Sequence, residues 1–152
     1  MAYSRPSVIE DCDELAPIMK APDVREVYAS TGMEPLTVLK GCFHASEECL
    51  SIINDEGQVV AMFGYSVLAE DLAAPWFLSS GGEAAFTKKF LREGRKWVQV
   101  VNKKYPLLTN FVDVRNKVAQ DWLRFLGFTF LRTIPYGVSR KPFTEFVRIN
   151  NV

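Results

Sequence analysis

The chain is predicted to fold as one mixed α/β domain, 1–152, in which a central sheet carries helices on both faces. Three observations predict this. Two β-rich runs, 'ECLSIIND' and 'QVVAMFGYSVL', are joined by a polar turn containing Gly57, a hairpin signal. Apolar residues then recur at helical spacing over 83–104. Last, strand, helix and strand signals follow one another without a linker in 'VDVRNKVAQDWLRFLGFTF', residues 112–130.

Taken in order, a short strand is expected around Tyr3 to Ser7. 'EDCDELAPIMKA' follows as a helix, with Leu15, Ile18 and Met19 on one side and acids in its first turn, where the helix dipole favours them. Pro22 is expected to end it, and 'DVREVYASTG' to continue as a second helical piece closed by Gly32. 'EPLTVLKGCFHAS' gives a third short helix. After the hairpin, 'APWFLSS' is a shorter strand with Pro75 near its start, where proline is tolerated. The long helix from Glu83 to Lys104 carries Phe86, Phe90, Trp97, Val98 and Val101, and Tyr105-Pro106 ends it. 'LLTNFVDV' reads as a strand, 'KVAQDWLRFL' as a helix, and 'FTFLRTI' and 'FTEFVRI' as two last strands joined by 'PYGVSRKP'. No internal repeat, low-complexity tract or interdomain linker interrupts this order.

Composition removes several classes of function. Eighteen basic residues balance eighteen acidic ones, so the chain has no overall field to draw it to nucleic acid or an anionic membrane. The opening 'MAYSRPSVIEDC' lacks the apolar core of a secretory signal and reads as cytosolic. The most apolar segment, 'VVAMFGYSVLA', is about half the length of a membrane-spanning helix and reads as a buried strand. Cys12, Cys42 and Cys49 are odd in number and outside any C-x-x-C spacing, so they read as buried free thiols rather than a disulfide framework or a zinc site.

Within 112–130, 'N-K-V-A-Q-D-W-L-R-F-L-G-F' resembles the C-terminal motif N-x-x-A-x-x-x-Y-x-x-x-G-F of the GNAT superfamily of acetyl-CoA-dependent N-acyltransferases. Asn116, Ala119, Gly127 and Phe128 fall in register. Asn116 stands where a strand ends and a helix begins, so its amide can cap the helix or face a ligand. Gly127 supplies a left-handed turn that lets Phe128 start the next strand at once. The resemblance implies a GNAT-like sheet, mixed but mostly antiparallel, of six to seven strands. It also implies acetyl-CoA in the cleft where the fourth and fifth strands splay, with the thioester carbonyl polarised by a backbone amide near Phe77 or Leu78. An amine acceptor would attack directly, and a homodimer is one arrangement such proteins adopt.

The same resemblance points to 'SSGGEA' as the counterpart of the R/Q-x-x-G-x-G/A loop that cradles the CoA pyrophosphate. Ser79, Ser80, Gly81, Gly82, Glu83 and Ala84 are therefore candidate cofactor residues. Gly82 and Ala84 match, whereas Ser79 replaces the usual Arg or Gln. A Gly-Gly turn opening a helix can present N–H groups to an anion, but Glu83 competes for them, and Ser79 or Ser80 acting as a plain N-cap explains the stretch equally well. The long helix adds Lys88, Lys89, Arg92, Arg95, Lys96, Lys103 and Lys104 against Glu83 and Glu93. That basic side either meets the CoA phosphates or is a solvated face.

At the motif's tyrosine, which in many of these enzymes protonates the departing thiolate, this chain has Leu123, which cannot donate a proton. No spacing singles out a base among Glu47, Glu48, Glu70 and Asp71, so the catalytic residues are unassigned. His44, the only histidine, is expected to be a core or half-buried residue. Most of the aromatics, Trp76, Trp122 and Phe143 among them, are expected to fill the core, with Tyr136 and the last two strands as an alternative acceptor or partner surface. The non-standard loop, the basic helix ending 'VNKKY' and Leu123 together resemble, more narrowly, the GNAT-like internal virion proteins of short-tailed bacteriophages. That likeness implies a phage-encoded protein made in the host cytoplasm, linked to virion morphogenesis, with a host or virion protein as partner. Two functions follow: an acyl-CoA-dependent N-acyltransferase, or a non-catalytic protein that keeps the fold for assembly or host-factor binding.

Overall fold

The computed structural model describes residues 2–81 and 87–150. Its elements run β1 (Tyr3–Pro6), α1 (Glu10–Leu15), a 3-10 turn (Ala16–Ile18), α2 (Ala21–Thr31), α3 (Pro35–Ala45), β2 (Glu48–Ile53), β3 (Val59–Ala69), β4 (Leu72–Ser79), α4 (Lys88–Lys104), β5 (Leu107–Asp113), α5 (Lys117–Phe125), β6 (Thr129–Tyr136) and β7 (Lys141–Ile149). The seven strands form one sheet in the order β1-β2-β3-β4-β5-β7-β6. Every neighbouring pair is antiparallel except β4 and β5.

The mixed sheet with helices on both faces is as the sequence predicts. Two local readings are corrected. Pro22 opens α2 rather than ending the helix before it, because a missing N–H costs nothing in a first helical turn. The preceding break is made by the 3-10 turn around Pro17 and an extended Lys20. β4 starts at Leu72, which puts Pro75 in mid-strand. Its carbonyl accepts from Asn110 on the β5 side, and a strand residue points its N–H and C=O to the same edge. The missing donor therefore falls on that side and takes nothing from the β3 ladder, where Pro75 pairs with Tyr65.

Alternation along the strands sorts the core into two layers. On one face Cys12, Leu15, Val27 and Leu39 from α1–α3 pack on Ile53, Val59, Met62 and Leu78. On the other, Val98 and Val101 of α4 and Leu126 after α5 pack on Tyr65, Ala73, Leu108, Val112 and Phe146. Each such side chain, taken from water, contributes about 1.5–3 kcal/mol. Asp11 ties the first strand and helix to the sheet. Burial works to raise its carboxyl pKa, but the Arg5 guanidinium, the Val8 N–H and the Ser51 hydroxyl hold it below the usual range.

The segment around α5 folds as its spacing demands. Asn116 Oδ1 accepts from the Ala119 N–H at 3.3 Å and caps the helix. At the other end Gly127 takes φ +92°, its N–H reaches Arg124 O, and Phe128 N–H reaches Leu123 O, both at 3.0 Å. That pair of bonds closes the helix and aims Phe128 back along the sheet.

Candidate functional site

β4 and β5 are paired only at Leu72 with Leu107 and Ala73 with Leu108, and then diverge. Four residues keep them apart. Pro75 has no N–H for β5. Asn110 fills the crotch of the split, donating to Pro75 O and accepting from its own neighbour's Phe111 N–H, both at 2.9 Å. Beyond the crotch, α2 lays two carboxylates across the gap. Asp23 accepts from Ser79 N–H of β4 at 3.0 Å, and Glu26 accepts from Asp113 N–H of β5 at 2.8 Å. Asn116 donates to both, at 3.0 Å to Asp23 and 3.5 Å to Glu26.

This α2 bracket is buried at Asp23, half-buried at Glu26, and mostly compensated. Asp23 is 2% exposed and forms an ion pair with Lys20, whose Nζ also reaches Ser79 Oγ at 3.1 Å. Asp113 takes both a backbone and a bidentate side-chain donation from Arg115. Burial works to raise its pKa, and the guanidinium holds it low. Glu26 differs: among the described residues its carboxylate accepts hydrogen bonds but forms no ion pair. Burial pushes its pKa up to about 7, with the charges of Asp23 and Asp113 adding to the shift and the donated N–H groups opposing it.

On the opposite face α5 closes over the split with apolar groups. Trp122 lies against Phe77 of β4 with ring centroids 4.1 Å apart, and Leu123 packs beside it. A cavity of about 430 Å³ runs between these layers. Gly94, Trp97, Ala119 and Leu123 line it from α4 and α5, and Glu26, Val27, Trp76, Phe111 and Tyr136 from the α2 face. Phe111 and Tyr136 are stacked at 4.2 Å and 17°, with Phe143 against Tyr136.

Of the residues singled out from sequence, Phe77, Leu78 and Ser79 lie on β4 along the split, and Ser80 and Gly81 follow it. Alternation turns the amide of Phe77 to the open edge, as for Ser79, and that of Leu78 to β3, as for Ser80, whose N–H reaches Val60 O at 2.8 Å. Gly82, Glu83, Ala84 and Phe86 lie outside the described residues. The long helix, expected from Glu83, opens only at Lys88, where Thr87 is extended and its hydroxyl caps the first turn by accepting from Phe90 N–H. Asn116 caps α5 and holds α2. Leu123 lines the cavity at the position of the motif's tyrosine. All seven basic residues of α4 are exposed.

Glu47 and Glu48 lie beside Tyr65, and Glu70 and Asp71 form the β3–β4 turn, where Asp71 O receives Leu107 N–H. All four sit at the end where β4 and β5 are still paired. His44 is exposed in the last turn of α3 instead of half-buried. Burial pushes the thiols of Cys12 and Cys42 up to about 11. Sequence reasoning missed Lys20, Asp23, Glu26 and Asn110. The one available signal, acids three apart on the first turns of α2, is also what the helix dipole alone produces.

No family model matches the chain, and no curated protein matches it. Solved structures do. A GCN5-related N-acetyltransferase from Kribbella flavida superposes with a TM-score of 0.68 at 14% identity over 98% of each chain. A GNAT superfamily phosphinothricin acetyltransferase from Sinorhizobium meliloti, in complex with AcCoA, gives 0.68 at 12% identity, covering 97% of this chain and 88% of that one. An N-acetyltransferase from Staphylococcus aureus Mu50 gives 0.68 at 13% over 98% of each. At such identities the likeness shows the fold: this chain has the GNAT fold. Among the described residues no helix is long and apolar enough to cross a membrane.

Proposed function

We propose that the protein is an acyl-CoA-dependent N-acyltransferase that moves an acetyl group to an amine by direct attack. The observation that carries this reading is the split between β4 and β5, two residue pairs long before it opens into a cavity that both helix layers line. In this reading the acyl-pantetheine arm runs along β4, and the thioester carbonyl takes the Phe77 N–H that the strand turns to its open edge. A backbone amide fixed in an apolar cavity polarises a carbonyl without reorganising, and much of the rate comes from such positioning. Ser79 stands where an Arg or Gln is usual, and the Lys20 ammonium on Ser79 Oγ supplies a cation beside the start of the phosphate loop. Leu123 leaves the departing thiolate to be protonated by water.

Calorimetric titration of the whole chain with acetyl-CoA tests the reading. Micromolar binding is expected, with stabilisation of about 2.7 kcal/mol at a hundredfold excess over Kd. Gly82→Trp is expected to abolish it, and thiol release on adding amine to report transfer. No heat and no thermal shift at millimolar acetyl-CoA would overturn it.

A second reading is a non-catalytic protein of virion assembly or host-factor binding, made by a phage in the host cytoplasm as the narrower sequence resemblance implies. The Phe77–Trp122 contact favours it, because those rings occupy the α5 side of the split where a pantetheine arm would lie. Trp122→Ala separates the two: acetyl-CoA affinity rises if the ring is a displaceable cover, and no binding appears in either form if the site is disused.

A further inference from the structure

The cavity has a second end that the cofactor reading does not use. On the α2 face the odd-numbered residues of β5 turn Phe111 and Asp113 towards α2, and β6 and β7 add Tyr136 and Phe143. The stacked Phe111–Tyr136 pair forms a flat apolar platform, with Trp76 held across from it by a bond from its Nε1 to Ser46 Oγ at 2.8 Å. At this end of the cavity stands the carboxylate of Glu26, which forms no ion pair among the described residues.

The charged groups around Glu26 are committed elsewhere. Asp23, one turn earlier on α2, is paired with Lys20. Asp113 on β5 is paired with Arg115, whose guanidinium feels Glu26 only as a more distant charge. Asn116 and the Asp113 amide give Glu26 two hydrogen bonds to one oxygen, Oε1. A half-buried carboxylate at an apolar cavity, with Oε2 outside the two bonds that Oε1 accepts, can take a cationic donor there. Among the described residues Asp23 and Asp113 are paired, and Glu93, which also lines the cavity, stands on α4 in the opposite helix layer, so this end has room for one cation.

We propose that this end of the cavity is the acceptor subsite, and that its acceptor is a small primary monoamine with a flat apolar body. The body lies on the Phe111–Tyr136 platform and the nitrogen lies at Glu26. The role of Glu26 rests on the acyltransferase reading. The ammonium gives one proton to the Glu26 carboxylate, and the free amine nitrogen forms a C–N bond to the thioester carbonyl carbon. The C–S bond then breaks, its electron pair leaving on the CoA thiolate. The second nitrogen proton passes to that thiolate through water, and Glu26 returns its proton to solvent, so one proton is released per amide formed. Burial disfavours the charged form of both partners, which brings a carboxyl and an ammonium closer to exchange than they are in water.

The test uses the full chain and phenethylamine as probe, with spermidine as the polyamine control and phenethyl alcohol as the uncharged one. Binding is read by saturation-transfer NMR and by quenching of tryptophan fluorescence, with and without acetyl-CoA. Phenethylamine is expected to bind at least about tenfold more tightly than either control. Glu26→Gln, which keeps an acceptor for both N–H groups, is expected to cost phenethylamine about tenfold while leaving phenethyl alcohol and acetyl-CoA unchanged. Tyr136→Leu is expected to weaken both aromatic probes. Equal phenethylamine binding by wild type and Glu26→Gln, tighter binding of spermidine, or no binding of phenethylamine overturns the proposal. Acetyl-CoA titration of the same samples keeps the outcomes apart: cofactor binding without amine binding sinks the subsite alone. Amine binding at Glu26 without cofactor binding sinks the acyltransferase reading and leaves an amine-binding site.

Discussion

Across the α2 face of the split, Asp23 and Glu26 hold the two strand edges through directional, charge-assisted bonds, whereas on the α5 face Phe77 of β4 meets Trp122 of α5 ring against ring. The polar bracket fixes a distance. Each carboxylate accepts a backbone N–H that would otherwise be an open strand edge, so moving either arm strands a buried group. The ring contact fixes none, since dispersion and apolar burial tolerate sliding and replacement. The split is thus rigid on its α2 side and soft on its α5 side.

Breaking the rigid side at its most buried point is expected to have the largest effect. Asp23→Ala leaves Ser79 N–H, Lys20 and the Asn116 amide without their shared acceptor, and a loss of about 3–5 kcal/mol in chemical denaturation is expected. A loss under about 1 kcal/mol would mean that α2 merely rests on the split.

The pH dependence of Glu26 sharpens the same contrast. Its folded pKa of about 7 lies above the ordinary carboxyl value of 4.5, so the native state holds a proton that the unfolded chain has already lost. Stability from this group is therefore full below about 4.5 and declines as pH rises to about 7, by roughly 1–2 kcal/mol after allowance for solvent at a half-buried side chain. Glu26→Gln should flatten melting temperature across that window. Asp11 and Asp113, held low, act in the opposite sense and only at more acid pH, so they do not mask it. A variant that keeps the wild-type slope would remove Glu26 from the account.

The smallest effect is expected at the crotch. Asn110→Ala deletes the bond to Pro75 O and exposes Phe111 N–H, costing about 1–2 kcal/mol. Hydrogen exchange at Phe111 should quicken more than at Val112, which pairs with β7. Uniform quickening would show that Asn110 supports the whole arm, not the split.

Periodicity and turn chemistry made the elements legible: Gly57, Gly127 and the Asn116 cap are local signals, and each took the form its spacing implies. The motif on α5 located the split as well, because it is written in one contiguous stretch. The bracket was illegible for a physical reason. Asp23 meets Asn116 across 93 residues of chain and Glu26 meets Asp113 across 87, and nothing in an acid on a first helical turn tells a dipole partner from a strand-edge acceptor. Pro75 misled for a related reason, since whether its missing N–H faces a partner depends on a neighbour that arrives only with β5.

The turn between β6 and β7 reaches back to finish α2. Val138 N–H, Ser139 N–H and Ser139 Oγ take the last carbonyls of that helix, at Ser30 and Ala29. Gly137 is needed there: its φ is +71°, and a side chain would meet Ser30 O at 2.5 Å. A helix born early on the ribosome thus has its last turn closed only when the final hairpin has emerged. Such long-range closure raises contact order and slows folding, so a nascent chain stalled before β7 would carry α2 with its last carbonyls still open.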